Sequence, residues 1–176
     1  DAIIASEHNF TQCEVLSDDK QTFEPSNIRT STNDRLKPEF HGKAHDLVNA
    51  ALSSWSKQIV NEYPPEVVKC LHLPGYTANL NTKSEGLCLL RYENNQEYLW
   101  HCDATPVAKT SSRIVSVVVY LNDDFTGGET EMAGGLKVSP KKGKALIFPS
   151  NWNYPHRACP VTKGTKYALV TWYNIV

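Results

Sequence analysis

The 176-residue chain is nearly devoid of net charge: 18 Lys and Arg against 19 Asp and Glu leave −1 at pH 7. It therefore carries no global basic field to hold nucleic acid or an anionic membrane surface. No apolar run is long enough to span a bilayer, and no leader of the secretory type is visible. The five cysteines, Cys13, Cys70, Cys88, Cys102 and Cys159, are scattered and form no C-x-x-C pair. That argues against a zinc knuckle or a thioredoxin-like motif. A chain of this size can bury a core without disulfide staples, so the scattered thiols read as those of a reducing compartment, and a cytoplasmic location is expected. Internal repeats and low-complexity tracts are also missing.

What remains is the composition of one ordinary globular domain, with 40% hydrophobic and 21% charged residues. The opening AIIASEHNFT reads as a short strand leading into a turn. Residues 17–38 are rich in Ser, Thr, Asp, Asn and Pro and read mostly as loop. Ala44, Leu47, Val48, Ala51, Leu52, Trp55 and Ile59 then recur at spacings of three and four, which predicts an amphipathic helix packed on a sheet. Pro64-Pro65 ends that pattern.

Beyond about residue 84 the period changes to two. GLCLLRYE, EYLWHCDA, RIVSVVVYLN, KALIFPS and KYALVTWYNIV are β-rich, and NDDFTGGE, SPKKGK and CPVTKGT between them carry turn chemistry. In the third run Val115, Val117, Val119 and Leu121 share one face, and Ile114, Ser116, Val118 and Tyr120 the other. Many short strands preceded by a helix predict a mainly β fold with helices (α+β), a sandwich or jelly roll with a helical layer.

His101 and Asp103 stand two apart on an expected strand, so an imidazole and a carboxylate project from one face. Cys102 between them points away. His156, 55 residues after His101, closes the run KALIFPSNWNYP and supplies a third donor from a neighbouring strand. Two His and one carboxylate form the facial triad of non-haem Fe(II) oxygenases, with positions left open for a chelating cosubstrate and dioxygen. Lys166 begins an apolar, aromatic strand. An ammonium there needs a partner, which a dicarboxylate would provide. Gly127-Gly128 permit a tight turn with positive φ, and Thr130 starts the next strand with its hydroxyl open to an anion. Cys70 and His72 invite a metal reading but lack further partners.

Together these residues resemble the prolyl 4-hydroxylase family of Fe(II)/2-oxoglutarate dioxygenases, particularly its collagen-type branch. The most specific stretch is His156-Arg157-Ala158-Cys159-Pro160-Val161 with Gly164-Thr165-Lys166-Tyr167. Val138-Ser139-Pro140-Lys141-Lys142-Gly143-Lys144-Ala145 is similar to the family's V-x-P-K-K-G-x-A, and Gly127-Gly128-Glu129-Thr130 to its GGxT. Tyr92, Gln96, Tyr98, His101 and Asp103 resemble its Y…Q-x-Y-x-x-H-x-D run, and Ile28-Arg29-Thr30-Ser31 its Arg-Thr-Ser segment.

The resemblance covers nearly the whole chain. It implies a double-stranded β-helix (jelly roll) with helices packed on one side. Residues 1–83 would act as support and 84–176 as the catalytic core of one oxygenase domain. It implies iron on His101, Asp103 and His156, and the distal carboxylate of 2-oxoglutarate on Lys166, helped by Thr130 and the Tyr92 hydroxyl. Tyr98, Trp172, Arg29 and Arg113 would line the substrate groove. The implied partner is a peptide or protein substrate containing proline, hydroxylated with O2 and release of succinate and CO2, with ascorbate as an accessory reductant.

Two departures stand out. Asn94-Asn95 replace the glycine frequent between the two tyrosines, and Tyr173-Asn174 follow Trp172 where many members carry a His. The segments 17–38 and 73–84 are expected to act as lids. Competing readings are an oxygenase acting on a free amino acid, another protein side chain or a small metabolite, a non-catalytic jelly-roll binding module, and a cupin-like protein using another metal.

Overall fold

The change of period near residue 84 marks a real change of architecture. In the computed structural model, which describes residues 2–6, 8–16, 23–25, 28–36, 38–69, 82–106 and 110–176, helices lie before that point and strands dominate after it. The elements are α1 (Ala2–Ala5), β1 (Thr11–Gln12), β2 (Glu14–Leu16), β3 (Phe23–Pro25), β4 (Thr32–Arg35), α2 (Pro38–Glu62) and α3 (Pro65–Val68). There follow β5 (Thr82–Ser84), β6 (Cys88–Tyr92), β7 (Tyr98–His101), β8 (Arg113–Tyr120), β9 (Thr126–Gly127) and β10 (Thr130–Met132). The chain ends with β11 (Lys137–Val138), β12 (Ala145–Pro149), β13 (His156–Ala158), β14 (Val161–Lys163) and β15 (Lys166–Ile175).

Among the described residues the larger sheet runs β1-β4-β6-β15-β8-β12, with β5 also on β15, and a smaller one runs β11-β10-β13-β7. All their pairings are antiparallel. The long β15 is the spine, flanked by β6 and β8, with Ala168 opposite Leu90 on one side and Tyr120 on the other. This is a jelly roll with a helical layer on one side.

Alternation along the central strands separates two apolar clusters. Val115, Val117, Val119, Leu89 and Leu169 pack with Ala44, Val48 and Leu52 of α2, while Leu90, Tyr92 and Val170 face inward with Cys13, Ala158 and Val161. Removing each such Leu or Val from water contributes about 1.5–3 kcal/mol. The predicted helical stripe is therefore the buried face of α2, with Leu47 left 52% exposed at its margin.

Several expectations need correction. Ala2–Ala5 form a helical turn, not a strand. Its carbonyl at Ile3 accepts from the Ser6 hydroxyl and is also bonded by the His8 ring, side-chain contacts that a four-residue apolar run does not announce. The polar segment 17–38 includes β3 and β4. β4 is drawn into the large sheet by pairing Thr32 with Arg91 and Asn33 with Leu90, so tertiary pairing overrides loop-like composition. Val161–Lys163, inside a stretch read as a turn, pairs with β9. Ile114 packs with the helix-side cluster rather than with the Ser116 face, next to a register shift between Tyr173 and Asn174 on β15.

Cys70, His72 and most of the segment 73–84 lie outside the described residues, as do positions 17–22, 26, 27 and 37 of the other expected lid. No described helix is long and apolar enough to cross a membrane.

Candidate active site

The three expected metal donors meet between the two sheets. His101 ends β7 and His156 begins β13, and the pairing of these strands sets the two residues directly opposite each other. Asp103 is not on a strand as expected; it sits in the bend just after β7. The ligand atoms of His101, Asp103 and His156 nevertheless all lie within 4.8 Å of one another. His101 Nε2 is 3.6 Å from Asp103 Oδ1, and His156 Nε2 is 3.7 Å from Asp103 Oδ2. These separations exceed hydrogen bonds and suit three ligands of one ion.

Both rings are oriented from behind. His101 Nδ1 lies 2.7 Å from the Leu99 carbonyl, and His156 Nδ1 3.1 Å from that of Tyr154. A carbonyl only accepts, so each Nδ1 carries a proton, and each Nε2 is the ring atom turned toward Asp103. Tyr98 stacks on His101 at 3.5 Å and Phe148 meets His156 edge-on at 4.6 Å. Tyr98 and His101 are three apart, yet both line the cavity. The register slips by one residue between them, since Ala158 opposes Tyr98 while His156 opposes His101. Such a bulge re-aims a side chain.

Electrostatics match the donor set. Burial alone would raise the Asp103 carboxyl, but the two facing imidazoles and the Ser116 hydroxyl outweigh it and hold it well below the usual carboxylate range. Burial lowers His156, favouring its neutral ring. A neutral imidazole and an ionised carboxylate are the forms a divalent cation requires. The residues thus fit iron(II).

Lys166 lines the same cavity and is 2% exposed. Its Nζ donates to the Gly128 carbonyl at 2.7 Å and faces the rings of Tyr92 and Tyr120 at 4.9 and 5.4 Å. Among the described residues no carboxylate lies within ion-pair distance. Burial pushes its pKa down to about 8. Here is a buried cation with donors to spare, which suits the distal carboxylate of 2-oxoglutarate. Gly128 is what lets it sit there: at φ +70°, a Cβ on that residue would lie 3.1 Å from Lys166 Cδ. Thr130 lines the cavity, its hydroxyl 2.8 Å from that of Tyr120.

Of the expected groove residues, Tyr98, Trp172 and Arg29 line the cavity and Arg113 does not. Arg29 is buried, 4.7 Å above the Tyr98 ring, and its Nε has no hydrogen-bond partner among the described residues. Arg113 bonds both carboxylate oxygens of Glu85 at 2.6 Å, donates to the Asp103 carbonyl at 3.0 Å and lies over Trp172 at 4.0 Å. It braces the rim rather than lining it. Sequence reasoning missed Glu85, Ser116, Tyr120 and Ser150. Only Ser116 offered a signal, as the one hydroxyl inside the otherwise apolar IVSVVV.

Comparison with known proteins agrees with this geometry. Prolyl 4-hydroxylase 2 of Arabidopsis thaliana is 30% identical over 125 residues, spanning 52% of this chain and 42% of that protein. The chain spans less than half the length of the curated relatives it matches.

Two examples illustrate the solved structures that share the fold. One is the viral collagen prolyl hydroxylase of Paramecium bursaria Chlorella virus-1 in its 2OG complex, with TM-score 0.60, 22% identity and coverage of 84% of this chain and 80% of that one. The other is a Trichoplax adhaerens prolyl hydroxylase with a hypoxia inducible factor peptide fragment, with TM-score 0.66, 18% identity and coverage of 94% and 70%. A family model described as the 2OG-Fe(II) oxygenase superfamily matches residues 87–174, half of the chain and the stretch that holds the His-Asp-His cluster and Lys166. The chain therefore belongs to the 2OG-Fe(II) oxygenase superfamily.

Proposed function

We propose that this chain is an Fe(II)- and 2-oxoglutarate-dependent dioxygenase that hydroxylates a C–H bond of a peptidyl proline, releasing succinate and CO2. The observation that carries this reading is one cavity lined both by three convergent metal donors and by a buried Lys166 that has no carboxylate partner among the described residues. His101, Asp103 and His156 hold the iron, and Lys166, Thr130 and Tyr92 hold the cosubstrate. Tyr98, Trp172 and Arg29 receive the substrate, and Arg113 supports Trp172 from the rim. Residues 1–176 act as one oxygenase domain, with 84–176 as its core and 1–83 as its support.

Iron(II) bound with 2-oxoglutarate supplies the oxidising equivalent taken from dioxygen, and ascorbate serves as an accessory reductant. The chain's own residues do the rest. Lys166 anchors one end of the cosubstrate, so that the other is directed to the metal that His101, Asp103 and His156 would hold. Leu90, Ala168 and Val170 make that path apolar, which excludes water from a reactive site. Burial pushes the Tyr98 phenol up to about 12, so it stays neutral and presents a flat ring beside His101. A peptide substrate is supported by the shared fold of the Trichoplax enzyme, whose structure carries a peptide.

The test is to incubate the protein anaerobically with Fe(II), 2-oxoglutarate and proline-rich peptides, then admit oxygen. Succinate and a gain of about 16 Da on proline, one oxygen atom, are the expected result. Succinate without peptide mass gain would move the substrate to a free amino acid, another protein side chain or a small metabolite. Bound iron with neither signal would leave a non-catalytic jelly-roll module.

A further inference from the structure

The bend that carries Asp103 is tied to the large sheet through two serines outside the ligand set. Ser116, at the middle of β8, places its Oγ 2.5 Å from Asp103 Oδ2, and Ser150, just past β12, places its Oγ 2.9 Å from Ser116 Oγ. Each serine is 1% exposed. The direction of the relay follows from donor counting. A carboxylate only accepts, so Ser116 gives its single O–H to Asp103. Ser150 must then donate to Ser116.

Ser150 is itself clamped through its backbone, donating to Ile114 at 3.1 Å and accepting from Ala104 at 2.9 Å. Ala104 is the residue after Asp103, so the relay holds both the side chain and the bend behind it. Asp103 Oδ1 faces His101 Nε2 at 3.6 Å instead. A short bond from a neutral hydroxyl to an ionised oxygen is strong and directional. It occupies one carboxylate oxygen and stops the group from turning to offer both.

We infer that Ser116, backed by Ser150, is a positioning residue that makes Asp103 a one-oxygen ligand and so preserves the coordination positions a chelating cosubstrate needs. This rests on the metal reading above. A carboxylate freed to bind through both oxygens would take a position that 2-oxoglutarate must occupy. Serine is tolerated in the apolar surroundings of β8 because a buried hydroxyl is stable when bonded, and Ser116 is bonded on both sides.

The test uses Mn(II) and Co(II) as probes on the full chain. Mn(II) affinity is measured by calorimetry, and the visible absorption of the Co(II) form reports coordination number. Ser116→Ala should weaken Mn(II) binding about tenfold or more and change the Co(II) absorption, with circular dichroism unaltered. Ser116→Thr, which keeps the hydroxyl, should restore both, and Ser150→Ala should shift both in the same direction by less. Mn(II) binding by Ser116→Ala within about twofold of the unmodified chain, with the same Co(II) spectrum, overturns the inference. Where Ser116→Ala fails to fold, the same two measurements on Ser150→Ala decide it by the same criterion. No Mn(II) binding by the unmodified chain would overturn the metal reading itself, and this inference with it.

Discussion

Lys166 concentrates the tension between stability and function in a single side chain. Its ordinary pKa of 10.5 falls to about 8 because burial strips water from the ammonium. Between these values the unfolded chain binds more protons than the folded one, so this group's contribution to stability rises with pH from about 8 to 10.5. Below about 8 its full desolvation cost is present. Cosubstrate binding works in the opposite sense, since a carboxylate partner favours the charged form. The KM for 2-oxoglutarate should therefore climb as pH rises above about 8, and steady-state kinetics between pH 7 and 9.5 would show it; a flat profile would mean that another cation does the anchoring. Lys166→Met should raise KM at least tenfold, about 1.5–3 kcal/mol for a lost charged hydrogen bond. The same change should raise the melting temperature of the free protein, because it removes a buried charge that has no carboxylate partner among the described residues. Sequence pattern placed this lysine at the start of an apolar strand; that no described carboxylate pairs with it is visible only in three dimensions.

At the scale of elements, two turns position the site. Asn94 and Asn95 adopt φ of 52° and 62°, the left-handed region, at the turn between β6 and β7. Asn tolerates this conformation and other L-residues pay about 1–2 kcal/mol for it. Asn95→Ala should lower stability by about 1 kcal/mol in urea denaturation, with Asn95→Gly neutral or stabilising. The turn thus forms without the glycine that Asn94-Asn95 replace.

The Gly127-Gly128 turn is not a simple hairpin, because it joins β9 and β10, which lie in different sheets. An added Cβ on Gly128 would meet Val161 Cγ2 at 3.0 Å as well as Lys166 Cδ and Phe125 Cε2 at 3.1 Å. Gly128→Ala should cost about 1–3 kcal/mol through overpacking and raise the KM for 2-oxoglutarate with little change in metal affinity. Unchanged cosubstrate kinetics in that variant would mean that the lysine's placement does not depend on the glycine.

For the whole molecule, binding at a site assembled from both sheets should report on the entire fold. His101 and His156 belong to the small sheet, Lys166 to the large one, and Asp103 to a bend held by the large one. A ligand that binds only the folded state adds about 2.7 kcal/mol at a hundred times its Kd. For a chain of this size that is a rise of about 5–10 °C in Tm. Mn(II) with 2-oxoglutarate should produce such a shift in the unmodified protein and none of the metal-dependent part in His101→Ala. A full shift in His101→Ala would remove that residue from the ligand set.

The sequence by itself determined the period change near residue 84, the buried stripe of α2, five strands of the two main sheets, and the residue types of the proposed metal and cosubstrate site. These are local signals: alternation, spacing and turn chemistry are written along the chain and need no partner to be read. The tertiary structure alone decided three things. Asp103 occupies a bend rather than a strand, yet reaches the two histidines because Ser116 on a different sheet holds it. Tyr98 and His101, three apart, share a cavity because of a register slip against β13. Arg113, expected in the groove, is taken by Glu85 and the Asp103 carbonyl. Each is a contact between residues far apart along the chain, made when antiparallel pairing brings them together, and no local pattern encodes the register that does so.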